Sequence, residues 1–156
     1  MYPYNINHDR SDQEKPLVMA QNNTTLTELL TEAIADETHD GMYYERLSEL
    51  ISDAGDKNIV WDIHLDEVRH RGLFSDIYRI LTGNEPPEPE EMDDMPTGNL
   101  ADDISKGLIG ETDAMEFYYQ ILLALTDPDM RSILGQIITD ESRHAHLMSY
   151  LFSKYK

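Results

Sequence analysis

The chain repeats itself at one offset. Asp66-Glu67-Val68-Arg69-His70 returns 74 residues later as Asp140-Glu141-Ser142-Arg143-His144, and the same shift superposes Glu37 on Glu111 and Tyr44 on Tyr118. Each Glu-x-x-His stands 30 residues after its lone glutamate. Residues three apart on a helix share a face, so Glu67 with His70, and Glu141 with His144, can each present a carboxylate and an imidazole to one ion. Only a fold that brings two such halves together uses all of these residues.

The pattern around the motifs is helical and predicts an all-α domain. A first helix is expected from the capping-box sequence Thr25-Leu26-Thr27-Glu28 to about Ser52, with Leu30, Glu37, Tyr44 and Ile51 on one face. After a turn at Asp53-Ala54-Gly55-Asp56, a second helix should run from about Asn58 to Leu81, with Ile63, Glu67, His70, Phe74, Ile77 and Leu81 inward and Gly83 closing it. A third is expected over Leu100 to Leu125, its inward stripe being Ile104, Leu108, Glu111, Met115, Tyr118 and Leu122. Asp127 should cap a fourth helix opened by Pro128 and running to about Phe152, with Leu134, Ile137, Glu141, His144, Met148 and Leu151 inward. The proline-rich, acidic segment from Gly83 to Thr97 cannot be helical. Extended, its 15 residues reach about 50 Å, enough to carry the chain from one end of a bundle to the other. The domain is therefore expected over residues 23–156 as two antiparallel hairpins joined by a long crossover at 83–97, preceded by a polar tail or strap at 1–22.

Composition excludes several functions. No cysteine is present, which removes disulfides, thiol nucleophiles, zinc ribbons and iron–sulfur clusters. Twelve Lys and Arg against 31 Asp and Glu leave a net charge of −19, which opposes binding to nucleic acid or to anionic membranes and favours the approach of cations. The longest apolar run, Ile121 to Leu125, is far short of the roughly 20 residues of a membrane span, and no signal peptide is apparent, so a cytoplasmic protein is expected.

Four glutamates and two histidines on stripes otherwise made of Leu, Ile, Met, Phe and Tyr require an explanation. A buried carboxylate without a partner costs several kcal/mol at least, so four of them call for cations. Two divalent ions would be neutralised by four carboxylates, with the imidazoles neutral. The expected metal ligands are therefore Glu37, Glu67, His70, Glu111, Glu141 and His144. Asp66 and Asp140 lie four residues before the histidines and can accept the non-ligating N–H of their own or of the facing ring. Tyr44 and Tyr118, two turns after the lone glutamates, can hydrogen-bond a ligand carboxylate or donate an electron. Arg69 and Arg143 point off the stripe, as surface ion-pair residues do. Asp36, His39, His64 and His146, with Asp113 and Glu116, are also expected to face away from the site.

On these motifs, residues 25–152 resemble the ferritin-like diiron superfamily, and most closely the four-helix domain of rubrerythrins. The resemblance implies a ferritin-like bundle with the long crossover, Glu67 and Glu141 bridging two metals, and Glu37 and Glu111 terminal. Two departures stand out. Rubrerythrins usually carry a rubredoxin domain that supplies electrons through a cysteine-bound iron, whereas this chain reaches Lys156 without a cysteine. They also commonly place a further glutamate three residues after the third helix's lone glutamate, where this chain has Ala114. The symmetric six-ligand set is closer to that of bacterioferritins.

The function expected is oxidation of a diferrous centre by hydrogen peroxide or dioxygen, with two Fe ions, or Mn as the alternative metal. An external electron donor would sustain turnover, and a homodimer or larger homo-oligomer is expected. The alternatives are non-enzymatic iron binding or storage in a shell, and a packaged structural protein addressed by its N-terminal tail.

Overall fold

The computed structural model describes residues 24–89 and 94–156. The expected tail at 1–22 lies outside those residues. Four helices follow in order: α1 (Leu26–Leu50), α2 (Ala54–Thr82), α3 (Leu100–Ala124) and α4 (Pro128–Tyr155). No strand occurs among the described residues.

The duplication extends from the motifs to the helix ends. Leu26 and Leu100, and Ala54 and Pro128, which open the helices, are each 74 residues apart. The caps explain why. Thr25 and Glu28 form the reciprocal capping box at the start of α1, while Asn99 occupies the matching position before α3 without a side-chain cap bond. Asp53 accepts the N–H groups of Gly55 and Asp56, and Asp127 accepts those of Asp129 and Met130, all at 3.0 Å. Asp53 thus makes Ala54-Gly55-Asp56 the first turn of α2, where the sequence pattern had suggested a separate turn. Gly83 ends α2 at φ 72°, a left-handed conformation that suits glycine. Leu81, expected to face inward, is 46 % exposed because Ile77, one turn earlier, is the last buried residue of α2. In α3 the fully buried position near the C-terminus is Ile121, and Leu122 is only half-buried.

Two apolar clusters define the topology. One joins Leu30 and Ile34 of α1, Phe74 and Ile77 of α2, Tyr118 and Ile121 of α3, and Leu134 and Ile137 of α4. The other joins Leu47 of α1, Val60 and Ile63 of α2, Ile104 of α3, and Met148 and Leu151 of α4. The C-terminal half of α2 and the N-terminal half of α3 therefore sit at opposite ends of the bundle. The segment between them traverses its length, as its extended reach allows. The result is a ferritin-like four-helix bundle of two antiparallel hairpins, with α1 against α3 and α2 against α4.

Two buried aspartates pin the ends. Asp103 accepts from Thr97 N and Oγ1 at 2.9 and 3.0 Å and from Gly98 N at 2.9 Å, anchoring the crossover on α3. Asp56 accepts from Lys154 Nζ at 2.6 Å and Tyr155 OH at 2.9 Å, which ties the start of α2 to the last turn of α4 and carries that helix past Phe152. Gly107 lets α1 and α3 approach: a Cβ there would stand 3.0 Å from the Tyr44 hydroxyl and 2.7 Å from Met148 Cε.

Leu47 and Leu134 are fully buried, one in each cluster. Leu47→Ala and Leu134→Ala are each expected to reduce unfolding free energy by about 2–5 kcal/mol in urea titrations.

Candidate metal centre

Between the two clusters, the middle turns of all four helices bring Glu37, Glu67, His70, Glu111, Glu141 and His144 together, none of them more than 4 % exposed. Their donor atoms form two groups. One oxygen or nitrogen from each of Glu37, Glu67, His70 and Glu141 lies within 4.8 Å of the others, and the same holds for Glu67, Glu111, Glu141 and His144. Glu67 and Glu141 belong to both groups, Glu37 and Glu111 to one each. His70 Nδ1 is 2.9 Å from Glu141 Oε1, 3.0 Å from Glu67 Oε2 and 3.7 Å from Glu37 Oε2. His144 Nδ1 is 3.0 Å from Glu67 Oε1, 3.4 Å from Glu111 Oε2 and 3.6 Å from Glu141 Oε2.

Several of these approaches are not hydrogen bonds. Among the described residues, Glu37 Oε1, Glu67 Oε1, Glu141 Oε1 and His144 Nδ1 are buried without any hydrogen-bond partner. Buried polar atoms left unpaired in this way are rare and costly, and here they lie together within the two donor groups. Oxygen and imidazole donors in two groups of four, sharing two carboxylates, fit a pair of divalent ions.

The electrostatics of the metal-free cluster follow from the same crowding. Burial, reinforced by the charges of Glu67 and Glu141, pushes Glu37 and Glu111 well above the ordinary carboxylate value even though each faces a histidine. Burial alone would depress His70, but the facing carboxylates of Glu141, Glu37 and Glu67 outweigh it and push the ring up to about 12; the carboxylates of Glu111, Glu141 and Glu67 raise His144 in the same way. Burial likewise opposes ionisation of Glu141, yet His144 and His70 hold it down at about 2.

The opposite edge of each imidazole is held across the hairpin interface. His70 Nε2 lies 3.3 Å from Asp140 Oδ2, and His144 Nε2 lies 3.3 Å from Asp66 Oδ2. Each aspartate thus serves the facing histidine, a choice that spacing along one helix leaves open. An Nε2–H donated to aspartate turns Nδ1 toward the glutamates. The aspartates are bound in turn: Arg69 reaches Asp66 at 2.7 Å and Asp140 at 2.8 Å, and Arg143 pairs with Asp66 and, at 3.4 Å, with Asp140. The arginines are half-exposed, as expected of surface ion pairs, but they close a four-residue ring over both histidines. Their recurrence at the 74-residue offset was the signal for that role.

The tyrosines also cross between hairpins. Tyr44 of α1 donates to Glu111 of α3. Tyr118 of α3 is buried beside Glu37 of α1. Burial first, and then the neighbouring Glu111 or Glu37, keeps both phenols protonated. His39 and His64, expected at the surface, are half-buried; His64 Nδ1 lies 2.7 Å from the Gly41 carbonyl, which accounts for its position. Asp36 is half-buried as well. His146, Asp113 and Glu116 are exposed.

The rubrerythrin family model matches residues 28–152. The chain belongs to the rubrerythrin family. That span runs from the first turn of α1 to the last turns of α4 and includes every residue of the site. Two solved structures share the fold. A hypothetical protein from Pyrococcus furiosus is 20 % identical with a TM-score of 0.76, over 86 % of this chain and 92 % of that one. A conserved hypothetical protein from Mycobacterium tuberculosis is 18 % identical with a TM-score of 0.65, over 83 % and 98 %. No curated protein matches. Like the rubrerythrin bundle in general, the chain offers a buried carboxylate and histidine cluster suited to two metals. Among the described residues no helix is long and apolar enough to cross a membrane.

Asp66 is the ring member whose acidity can be read without metal. Burial opposes its ionisation, but hydrogen bonds from Arg69, Arg143 and His144 outweigh that and lower it from the ordinary 3.8 to about 2. A depressed carboxyl contributes stability that is present above its ordinary value and lost as pH falls through the folded one. The urea midpoint of the metal-free protein should therefore drop between about pH 4 and pH 2, and the Asp66→Asn variant should show a shallower drop over that window.

Proposed function

We propose that the protein holds two iron ions in this centre and acts as an oxidoreductase whose diferrous form is oxidised by hydrogen peroxide or dioxygen. The observation that carries the reading is the convergence of four buried carboxylates and two imidazole Nδ1 atoms, several of them unpaired, on two adjacent points. In this reading Glu67 and Glu141 would be shared by both ions, Glu37 and His70 would hold one and Glu111 and His144 the other, with the histidines using Nδ1. When bound, such a pair supplies two electrons together for reduction of an O–O bond. Mixed oxygen and nitrogen donors at low coordination favour iron, with manganese as the next choice.

The remaining residues prepare that chemistry. Asp66 and Asp140 hold the Nε2–H of the facing histidines and so fix which nitrogen is free to bind. Tyr44 keeps its proton at the hydroxyl and donates it to Glu111, which orients that carboxylate. The apolar clusters above and below exclude water, so charges at the centre interact strongly. The chain contains no cysteine with which to bind an electron-transfer iron, so repeated turnover would draw on a separate electron donor.

Anaerobic Fe(II) titration should saturate at two ions per chain, and peroxide should then oxidise the centre faster than dioxygen. Glu67→Ala and Glu141→Ala should each lose both ions; retention of two by either variant would refute the ligand assignment. Metal binding should also expel protons. With both histidines held protonated by the surrounding carboxylates, loading is expected to release protons and to tighten as pH rises. Calorimetry in buffers of differing ionisation enthalpy measures that release.

A further inference from the structure

The 74-residue repeat fails on the outer face of α2. Trp61, Leu65, Val68 and Gly72 follow one another at spacings of four, three and four residues and so lie along one side of the helix. The matching positions of α4 are Gly135, Thr139, Ser142 and His146. One copy of the face is apolar and the other polar, although the ligand positions inside the two helices are the same. Trp61, the chain's only tryptophan, is 39 % exposed, Leu65 50 % and Val68 53 %. The face continues onto α1: a Cβ on Gly41 would lie 3.7 Å from Val68 Cγ2, and the next residue, Met42, is 49 % exposed where α3 has Glu116.

That spacing reads the same in both directions, which makes the stripe self-complementary. When a second α2 lies antiparallel on the first across a two-fold axis, Leu65 meets Val68 of the second copy and Trp61 meets Gly72 of the second copy. The largest side chain of the stripe thus faces its smallest residue, and there is room for it: a Cβ on Gly72 would meet nothing within 4 Å. The indole is steadied from its own side, 4.7 Å from the ring of His64, whose Nδ1 is 2.7 Å from the Gly41 carbonyl. Charge matches in the same register. Asp62 and Arg69 share one flank of the stripe, and the two-fold axis brings each beside the other's copy; Asp62 is exposed and, among the described residues, without an ion pair. The area also suffices. At 1.5 Å per residue the 29-residue α2 is about 43 Å long, and a face two helices wide, with axes about 10 Å apart, covers on the order of 800 Å². Each partner in a specific, stable interface contributes about that much.

We infer that the α1–α2 face joins two copies of this chain in an isologous dimer, with α2 antiparallel to α2 and Trp61, Leu65 and Val68 at the centre of the interface. Three large apolar side chains per copy leave water together, and the aromatic one seats in the space above a glycine, the arrangement in which binding energy concentrates. The interface uses the same face on both copies, so it closes at two.

Sedimentation velocity of the full chain separates a dimer, of twice the 18.0 kDa chain mass, from a monomer, whatever the metal content. The wild type should sediment as a dimer at micromolar concentration. Leu65→Glu and Val68→Glu should each weaken dimerisation by about 100-fold or more, because each buries an unpaired charge, and should leave monomers of unchanged helicity by circular dichroism. Thr139→Glu, the matching change on α4, should leave the dimer intact. The chain has no cysteine, so the register can be read by crosslinking: a mixture of Trp61→Cys and Gly72→Cys proteins should form a disulfide-linked dimer on oxidation. Neither variant should do so alone, since each position stands about 16 Å along the helix axis from its own copy, beyond disulfide reach. A monomeric wild type, or a dimer that survives both Leu65→Glu and Val68→Glu, would overturn the interface. A wild-type monomer whose Trp61 emission shifts when residues 1–22 are removed would give the face to the leading segment of the same chain and overturn it equally. Linkage of either cysteine variant alone would overturn the antiparallel register.

Discussion

Four carboxylates and two imidazoles meet in the middle of an apolar bundle, and their mutual repulsion and attraction govern the rest of the molecule. Unpaired ionised carboxylates in such a place would cost several kcal/mol each, so the cluster needs positive charge. The carboxylates raise both histidines, and burial with the charges of Glu67 and Glu141 raises Glu37 and Glu111. In the proposed reading two divalent ions would neutralise the four carboxylates. The same six residues thus link folding, proton binding and metal binding.

Such a cluster survives in a fold only if something rigid holds it. The apolar clusters on either side fix the depth of each helix, and the ring of Asp66, Arg69, Asp140 and Arg143 fixes the rotation of α2 against α4. Tyr44 and Gly107 do the same for α1 against α3. Arg69 with Asp140, Arg143 with Asp66 and Tyr44 with Glu111 all cross between the two hairpins. The duplicated halves therefore complete one another: each histidine is oriented by an aspartate of the other half, and the Glu111 carboxylate by a tyrosine of the other half.

Near-twofold symmetry is not full symmetry. Asn99 makes no side-chain cap where Thr25 does, and the apolar stripe of α2 has no counterpart on α4. Ligand positions tolerate no such drift, because a missing carboxylate leaves both charge and geometry unbalanced.

The repeat, the 3.6-residue stripes and the cap residues determined four helices and named all six candidate ligands, because helix periodicity and chemistry that must recur are both written locally. The Gly83–Thr97 segment also showed its role through prolines and length. Tertiary structure alone decided which aspartate serves which histidine, since the choice depends on the antiparallel docking of α2 on α4. It also recruited Arg69 and Arg143 to the site, since a residue off the stripe of one helix can lie over the neighbouring one. Asp36, expected to face away from the site, is half-buried, because the burial of a side chain depends on neighbours that its own helix does not encode.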